Sequence, residues 1–456
     1  MRLAELESRR VAVWGCGREG RAALAVLRRR FPDKPLTLFC REDEAHALDD
    51  GAVRVVAREP DVEALRDFDI VIRSPGISPY RSPVPEACAA GVCFTSGTAL
   101  WFGERPHERV IGVTGTKGKS TTAALIAHLA RALGVRTALA GNIGLPLLDL
   151  IDAEAALWVI ELSSFQTGEA GPLAVGVVTN LYEEHLDWHG SRERYAADKL
   201  RLADAARTLV VNARQPELLA RTAGHPQRVL FGGERGWHVH DGALYRDAVR
   251  IAALDATLRL PGAHNAQNAC AALAALGAAG VLDDAAAERA AVRALGEFRG
   301  LPHRLQVLGE RDARTWIDDS ISTTPEATLA ALDSVAGREV TVIVGGHDRG
   351  LDWSGFARAV APRSALRIVA QGRSGPRIAS VLRAHEVRCA VDEVADLAAA
   401  VARARATGAA GGIVLLSPGA PSFDQFRDYA ERGREFARLA GFDPAAIGEI
   451  AGLGVA

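Results

Sequence analysis

Three α/β domains are what this chain predicts, Rossmann-like at each end, with a phosphate-binding-loop (P-loop) domain between them. Three observations carry that expectation. Its 456 residues suit about three domains at roughly 150 residues each. Short apolar runs alternate with helical stretches along almost the whole length, the rhythm of βαβ units around parallel sheets. The run GVTGTKGKST at 112–121 sets a glycine-rich turn between an apolar strand and a helix, which is the layout of a P-loop.

The elements follow in order. VAVWG (11–15) is a strand that leads into a helix from about Arg18 to Arg30. LTLFC (36–40) and DIVIRSPG (69–76) are further strands, the latter closing on a Pro-Gly turn. A second unit opens with VIGVTG (110–115) and continues with buried strands LWVIE (157–161), VGVVTN (175–180) and TLVVN (208–212). Residues 228–260 predict short antiparallel strands with turns at GGERG and HDGA, and two alanine-rich helices fill about 264–297. EFRGLPHR (297–304) reads as a hinge. The last unit repeats the rhythm with RTWIDD (314–319), VTVIVGG (340–346), LRIVAQG (366–372) and GIVLLSPG (412–419). The domains predicted are 1–100, 101–300 and 301–456.

Composition excludes several function classes. Lys+Arg is 54 against Asp+Glu 56, a net charge of -2, which argues against a strongly basic nucleic-acid binder and an acidic disordered chain. The longest nearly apolar stretch, 269–282, is mostly alanine and glycine, too short and too weakly hydrophobic to span a bilayer. The opening MRLAELESRR holds no apolar core of a secretory signal. Six cysteines without a CxxC pair suit reduced thiols, mostly buried. The expectation is a cytoplasmic monomer with small-molecule substrates and neither nucleic acid nor membrane as partner.

One count is more pointed. Only four lysines occur, at 34, 117, 119 and 199, and the other 50 basic residues are arginine. A lysine retained on such a background is a candidate for chemistry that guanidinium cannot perform. Lys119 lies in the P-loop, where it would reach the β- and γ-phosphates while Ser120 offers a hydroxyl to Mg2+. Gly115, Thr116, Lys117, Gly118 and Thr121 complete the loop. Glu161 ends a buried strand, at the edge where α/β sheets bind ligands, and a carboxylate there suits Mg2+. The loop 179–190 offers Glu183, Glu184, His185, Asp187 and His189, with His185 a possible metal ligand or phosphate contact. Lys199 follows on a helix; its neutral amine could add CO2 and become a carbamate, a carboxylate-like metal ligand that arginine cannot supply. A solvent-facing helix lysine is the alternative.

The first strand carries WGCGREG (14–20), a G-x-G-x-x-G turn. A dinucleotide site also needs an acidic residue closing the second strand; here that strand ends Phe39-Cys40-Arg41, so NAD is disfavoured. Gly15, Gly17 and Arg18 can still hold another diphosphate, with Arg41 beside them and the Ser74-Pro75-Gly76 turn on a later strand of the same sheet. In the last domain, DDSISTT (318–324), GGHDRG (345–350) and SPGAPSFDQF (417–426) each follow an apolar strand. They should meet at one sheet edge and offer Asp319, Thr323, His347, Arg349 and Ser422, a set that suits a small carboxylated substrate.

Taken in order, GTKGKST, GNIGLP (141–146), ELSSFQ (161–166), EHLD, Lys199, the helix start at 264–268, LPHR (301–304), the DDS loop and SPGAPSFDQFRDYAERGREFARL (417–439) resemble the Mur ligase superfamily across nearly the whole chain. Within it they are most similar to the branch that adds glutamate to UDP-N-acetylmuramoyl-L-alanine. The resemblance implies a uridine-nucleotide domain, a central ATPase and an amino-acid domain, closing about the hinge near 300. It implies ATP and Mg2+, an acyl phosphate on the alanyl carboxylate, and its capture by the glutamate amine. It places Lys119 and Ser120 on ATP phosphate and Mg2+, and Glu161, His185 and carbamylated Lys199 around the metal. It places Asn142 near the muramoyl substrate, Asn268, Arg304 and Asp319 on the ATP side, and Thr323, Arg349, Ser422 and Tyr429 near glutamate. The departures cluster at that last site. Arg349 stands where D-glutamate enzymes of the family usually have lysine, Ile321 where they have another, and GAPSF replaces a CASL-type loop. This favours the L-glutamate variant, with D-glutamate the alternative. A folylpolyglutamate-type ligase would lack the first domain, and a P-loop binding module would not need Lys199 or the third domain.

Overall fold

Strands β1 (Val11–Trp14), β2 (Leu36–Phe39), β3 (Val53–Val56), β4 (Ile70–Arg73) and β5 (Cys93–Thr95) form a parallel sheet in the order β3-β2-β1-β4-β5. The structure, a computed structural model, describes residues 1–45, 53–182, 184, 186–254, 262–447 and 453–456. β1, β2 and β4 are buried at every position, as expected of strands covered on both faces. The helix Arg18–Arg30 buries the stripe Gly20, Ala22, Ala23, Leu24, Val26 and Leu27 and ends on Arg28, Arg29 and Arg30, cations that suit the negative end of its dipole. Chain order reverses between β1 and β4, so the crevice at their carboxyl ends is the ligand position for such a sheet.

The central sheet comprises β6 (Val110–Thr114), β7 (Thr137–Gly141), β8 (Leu157–Glu161), β9 (Leu173–Val178), β10 (Ala206–Asn212) and β11 (Arg228–Phe231). These six are mutually parallel, in the order β11-β10-β9-β6-β8-β7. β12 (Trp237–His240), β13 (Ala243–Arg246) and β14 (Val249–Ala253) form a small antiparallel sheet. The antiparallel expectation for 228–260 thus fails at its start. The helix Pro216–Arg221 makes a βαβ crossover that lays β11 parallel to β10, Leu209 opposite Arg228. Residues 255–260 of that span lie outside the described residues. The two alanine-rich helices run Ala263–Ala278 and Ala285–Leu295; Asp284 caps the second by accepting from Ala286 and Ala287 N at 2.7 Å.

β15 (Gln306–Arg311), β16 (Arg314–Asp318), β17 (Val340–Val344), β18 (Leu366–Ala370), β19 (Ala390–Glu393) and β20 (Ile413–Leu416) form the third sheet, in the order β15-β16-β20-β17-β18-β19. β15 and β16 are an antiparallel hairpin and the remaining pairs are parallel. The last strand, β21 (Gly454–Val455), returns to pair antiparallel with β7.

The chain divides into two compact units. One comprises Met1–Arg259, His264–Phe298 and Gly452–Ala456, the other Leu260–Ala263 and Arg299–Ala451. In the first unit a continuous core joins the first sheet to the central one: Leu38, Ile72, Trp101, Leu148, Trp158 and Ile160 belong to one buried cluster, and the Trp101 and Trp158 rings meet at 4.7 Å. Four of the six cysteines are buried, Cys88 and Cys93 are exposed, and all are free thiols. Among the described residues no helix is long and apolar enough to cross a membrane.

Candidate active site

β6 lies between β9 and β8, so the loop after it is flanked by the ends of both neighbours. That loop needs glycine. Gly115 has φ +146, and a Cβ there would sit 1.9 Å from Thr179 Oγ1; Gly118 has φ +81, and a Cβ would sit 2.4 Å from Asn268 Oδ1. The loop is held from β9: Thr116 N donates to Asn180 O, Lys117 N to Asn180 Oδ1 and Thr179 Oγ1 to Lys117 O. The helix Lys119–Ala132 then starts with Lys119, Ser120 and Thr121 in its first turn, where backbone N–H groups point out of the helix N-terminus, a natural anion site. Lys119 Nζ curls back to Thr116 O at 3.0 Å. Lys117 is exposed and pairs with Glu184, so it stands apart from Lys119. Asn268 braces the loop from below: Thr122 Oγ1 donates to its Oδ1.

Glu161 closes β8 with its side chain fully buried. Asn142 Nδ2 donates to one carboxylate oxygen at 2.8 Å, while the other, Oε2, is buried with no hydrogen-bond partner among the described residues. A buried carboxylate oxygen left open is costly unless a cation or donor meets it. Lys199 lies on the helix Arg192–Ala205, on the face that buries Tyr195, Ala196, Asp198 and Leu202; it is therefore not the solvent-facing lysine of the alternative reading. Its Nζ donates to Gly115 O at 2.8 Å and lies 4.9 Å from the Tyr195 ring centroid. Burial, and then the neighbouring Lys119 charge, hold this amine well below the usual lysine range, against the pull of Glu184 and Glu161. Lys199 and Lys119 thus bond neighbouring P-loop carbonyls, those of Gly115 and Thr116. Glu183 and His185 lie outside the described residues. His189, expected on an open loop, ends the short helix Leu186–His189 and is fully buried, made tolerable by its bond to Asp198.

At the first sheet the predicted residues gather on the β1–β4 crevice. Gly15 has φ +101, and a Cβ there would strike Ser74 Oγ at 2.5 Å. Gly17 caps the helix that Arg18 begins. Ser74, Pro75 and Gly76 turn at the end of β4, and Arg18 reaches across to Gly144 O at 2.9 Å, on the loop that carries Asn142. Arg41 is exposed beside Glu44 at 3.7 Å. Sequence reasoning missed Glu19 in this region. Burial, with Asp149 and Glu169 nearby, pushes its carboxyl up to about 7. It also missed the half-buried ion pair of Arg73 with Glu169, 2.8 Å long. Neither has a motif signal.

In the second unit, the loops after β16, β17 and β20 share one edge, since those strands are parallel neighbours. They are bonded together: Gly345 N to Pro418 O, His347 N to Pro421 O, Gly419 N to Ser322 O. Asp319 is buried and accepts from Ser322 Oγ, Ser417 Oγ and Leu305 N. Burial, opposed by those bonds and by Arg304, raises its carboxyl to about 6. Ser422 is buried, Thr323 half-buried and Arg349 exposed on these loops, and Tyr429 starts the helix Tyr429–Ala440 against His303, ring centroids 5.9 Å apart. Arg432, missed by sequence reasoning, is buried on that helix and donates to Ser320 O and Ala420 O.

A raised acid stabilises the fold where it is protonated. Asp319 should therefore make the second unit lose stability as pH rises from about 4 to about 6, by on the order of 2–3 kcal/mol at full ionisation. Asp319→Asn should flatten that slope and melt above the parent at pH 8. Calorimetric melting across pH 4–8 checks it; parallel curves for the two proteins would refute it.

Two family models match this chain: the Mur ligase middle domain over residues 113–276 and the Mur ligase glutamate ligase domain over 303–420. The protein belongs to the Mur ligase family. Its relatives include proteins named UDP-N-acetylmuramoyl-L-alanine--L-glutamate ligase, from Xanthomonas euvesicatoria pv. vesicatoria at 49% identity over 100% of both chains and from a Micromonospora species at 41% over 96% of this chain and 97% of that one. Among solved structures, UDP-N-acetylmuramate-alanine ligase MurC from Thermotoga maritima aligns with TM-score 0.60, 20% identity and coverage of 94% and 98%. Mycobacterium tuberculosis folylpolyglutamate synthase complexed with ADP aligns at 0.55 and 20%, over 76% of this chain and 94% of that one. These likenesses show a shared fold.

Proposed function

We propose that this enzyme adds L-glutamate to UDP-N-acetylmuramoyl-L-alanine with conversion of ATP to ADP and phosphate, in peptidoglycan precursor synthesis. The observation that carries the reading is identity of 41–49% over essentially the whole chain to relatives named for that reaction, with a site whose chemistry suits it. In this reading residues 1–100 hold the uridine nucleotide, 101–300 the ATP and 301–456 the glutamate, and the enzyme works as a cytoplasmic monomer.

A carboxylate is a poor electrophile, so the alanyl carboxylate first takes a phosphoryl group and becomes an acyl phosphate; the glutamate amine then displaces phosphate to form the amide. Thr116, Gly118, Lys119, Ser120 and Thr121 cradle the phosphates with backbone N–H groups and one mobile ammonium. The residues present fit Mg2+: Glu161 Oε2 is buried and open, Ser120 is in the adjacent first helical turn, and His185 follows in the chain. Mg2+, when bound, neutralises charge on the transferring phosphoryl group. Lys199, buried and disposed to lose its proton, suits carbamylation: the neutral amine adds CO2 and releases a proton. Asn142 fixes the Glu161 carboxylate while its loop touches Arg18, which ties the nucleotide turn to the metal carboxylate. Thr323, Arg349, Ser422 and Tyr429 receive glutamate, and Asn268, Arg304 and Asp319 serve the ATP side.

The first sheet should select uridine nucleotide over NAD. UDP-N-acetylmuramoyl-L-alanine at about 100 times its Kd should stabilise the protein by about 2.7 kcal/mol, raising Tm by several degrees, while NAD leaves Tm unchanged. A Tm rise with NAD and none with the uridine nucleotide would restore a dehydrogenase reading.

A further inference from the structure

A chain of four polar side chains, three of them buried and the fourth, Tyr80, exposed at its outer end, runs from the loop after β4 to the helix that carries Lys199, and the ligation chemistry does not use it. Tyr80 Oη donates to Asp198 Oδ1 at 2.6 Å. Asp198 Oδ2 lies 2.7 Å from His189 Nδ1, and His189 Nε2 lies 3.0 Å from Ser164 Oγ. The carboxylate is an acceptor only, so Nδ1 carries a proton; in the neutral ring Nε2 then accepts from the Ser164 hydroxyl. His189 is 0% exposed, Ser164 5% and Asp198 8%, and a polar chain that deep is stable only when every member is partnered.

Its position in the chain is what gives it a role. Ser164 follows Glu161 by three residues, His189 follows His185 by four, and Asp198 immediately precedes Lys199. Each of the three segments that carry the proposed metal-side residues therefore contributes one member. The fourth member, Tyr80, belongs to the loop that begins at the Ser74-Pro75-Gly76 turn. That loop is seated firmly on the same surface. Ser78 Oγ donates to Trp188 O at 2.8 Å and Trp188 Nε1 to Pro75 O at 3.2 Å. The Arg194 guanidinium lies 4.7 Å from the Tyr80 ring centroid, and Trp188 stacks on Phe165 at 4.5 Å.

We propose that Tyr80, Asp198, His189 and Ser164 form a positioning relay that transmits seating of the uridine nucleotide on the 74–80 loop to the segments bearing Glu161, His185 and Lys199. The relay rests on the reading above that this loop holds the nucleotide substrate. Tyr80→Phe removes the link from the loop and keeps the ring; Asp198→Asn removes the shared acceptor; Asp198→Glu restores it.

The full-length enzyme with 15N-labelled histidine should show a low-field His189 Nδ1–H resonance, identified by its loss in His189→Gln. It should move on addition of UDP-N-acetylmuramoyl-L-alanine and stay still with ADP alone. Tyr80→Phe should keep the resonance but blunt that movement, and raise KM for the uridine nucleotide by about tenfold with KM for ATP within about twofold. Asp198→Asn should lower kcat by at least about tenfold, and Asp198→Glu should recover part of it. A resonance that the nucleotide does not move, or variants that change Tm and neither kinetic constant, would overturn the relay. A parent protein that ligates glutamate with an unmoved resonance refutes the relay alone. One whose resonance moves but which ligates nothing refutes the proposed reaction and leaves the relay.

Discussion

Lys199→Met should lose about a hundred- to a thousandfold in kcat while melting close to the parent, because methionine nearly fills the buried volume and supplies no amine. Lys199→Ala should be equally slow, and a short carboxylate such as acetate should restore part of its activity by occupying the space the carbamate leaves. Lys199→Arg should stay inactive, since a permanent cation would stand beside Lys119 and Glu161 where a negative group is required. The structure motivates all three. The amine is buried, bonded to Gly115 O at 2.8 Å and held low by burial and by Lys119, so the neutral form that adds CO2 is favoured more than in an ordinary lysine. Steady-state rates of ADP release check the series, and an active Lys199→Arg enzyme would rule the carbamate out.

Lys119→Ala should cost at least about a hundredfold in kcat with the fold intact, because its side chain is half-buried and outside the hydrophobic core, bonding to Thr116 O. A second effect follows from the same geometry. The Lys119 charge helps hold the Lys199 amine low, so its loss lets that amine rise toward the ordinary lysine range. Residual activity in Lys119→Ala should then need a higher pH or more bicarbonate than the parent. Near-normal turnover would mean that the loop is not the ATP site.

The legible part of this molecule is the part written in local pattern. Lys119 was readable because a glycine turn between strand and helix has few other uses, and Lys199 because lysine is rare here while arginine is abundant. The strand-end position of Glu161 followed from a buried apolar run ending in a carboxylate. What lay beyond reach depends on pairing between distant segments. β11 joins the central sheet through a crossover whose direction is not encoded in the composition of 228–231. Thr179 and Asn180 hold the P-loop from the neighbouring strand, and nothing in their own spacing announces it. His189 reads as a loop residue beside other polar groups; its bonds to Asp198 and Ser164, brought from two other segments, make its burial tolerable. Glu19 and Glu169 are likewise ordinary acids until the first and central sheets share a core.

The choice between the two glutamate enantiomers rests on the amino-acid pocket. Both enantiomers carry two carboxylates and one amine, so net charge cannot separate them; donor placement must. In the proposed site Arg349 would offer a planar fork that holds one carboxylate orientation, unlike the point charge of a lysine, and a mismatched carboxylate should cost about 1–3 kcal/mol. The direct measurement is kcat/KM for L- and for D-glutamate with the purified enzyme, ATP, Mg2+ and UDP-N-acetylmuramoyl-L-alanine. L-Glutamate should be preferred by at least about tenfold; equal use of the two, or preference for D-glutamate, would contradict the assignment.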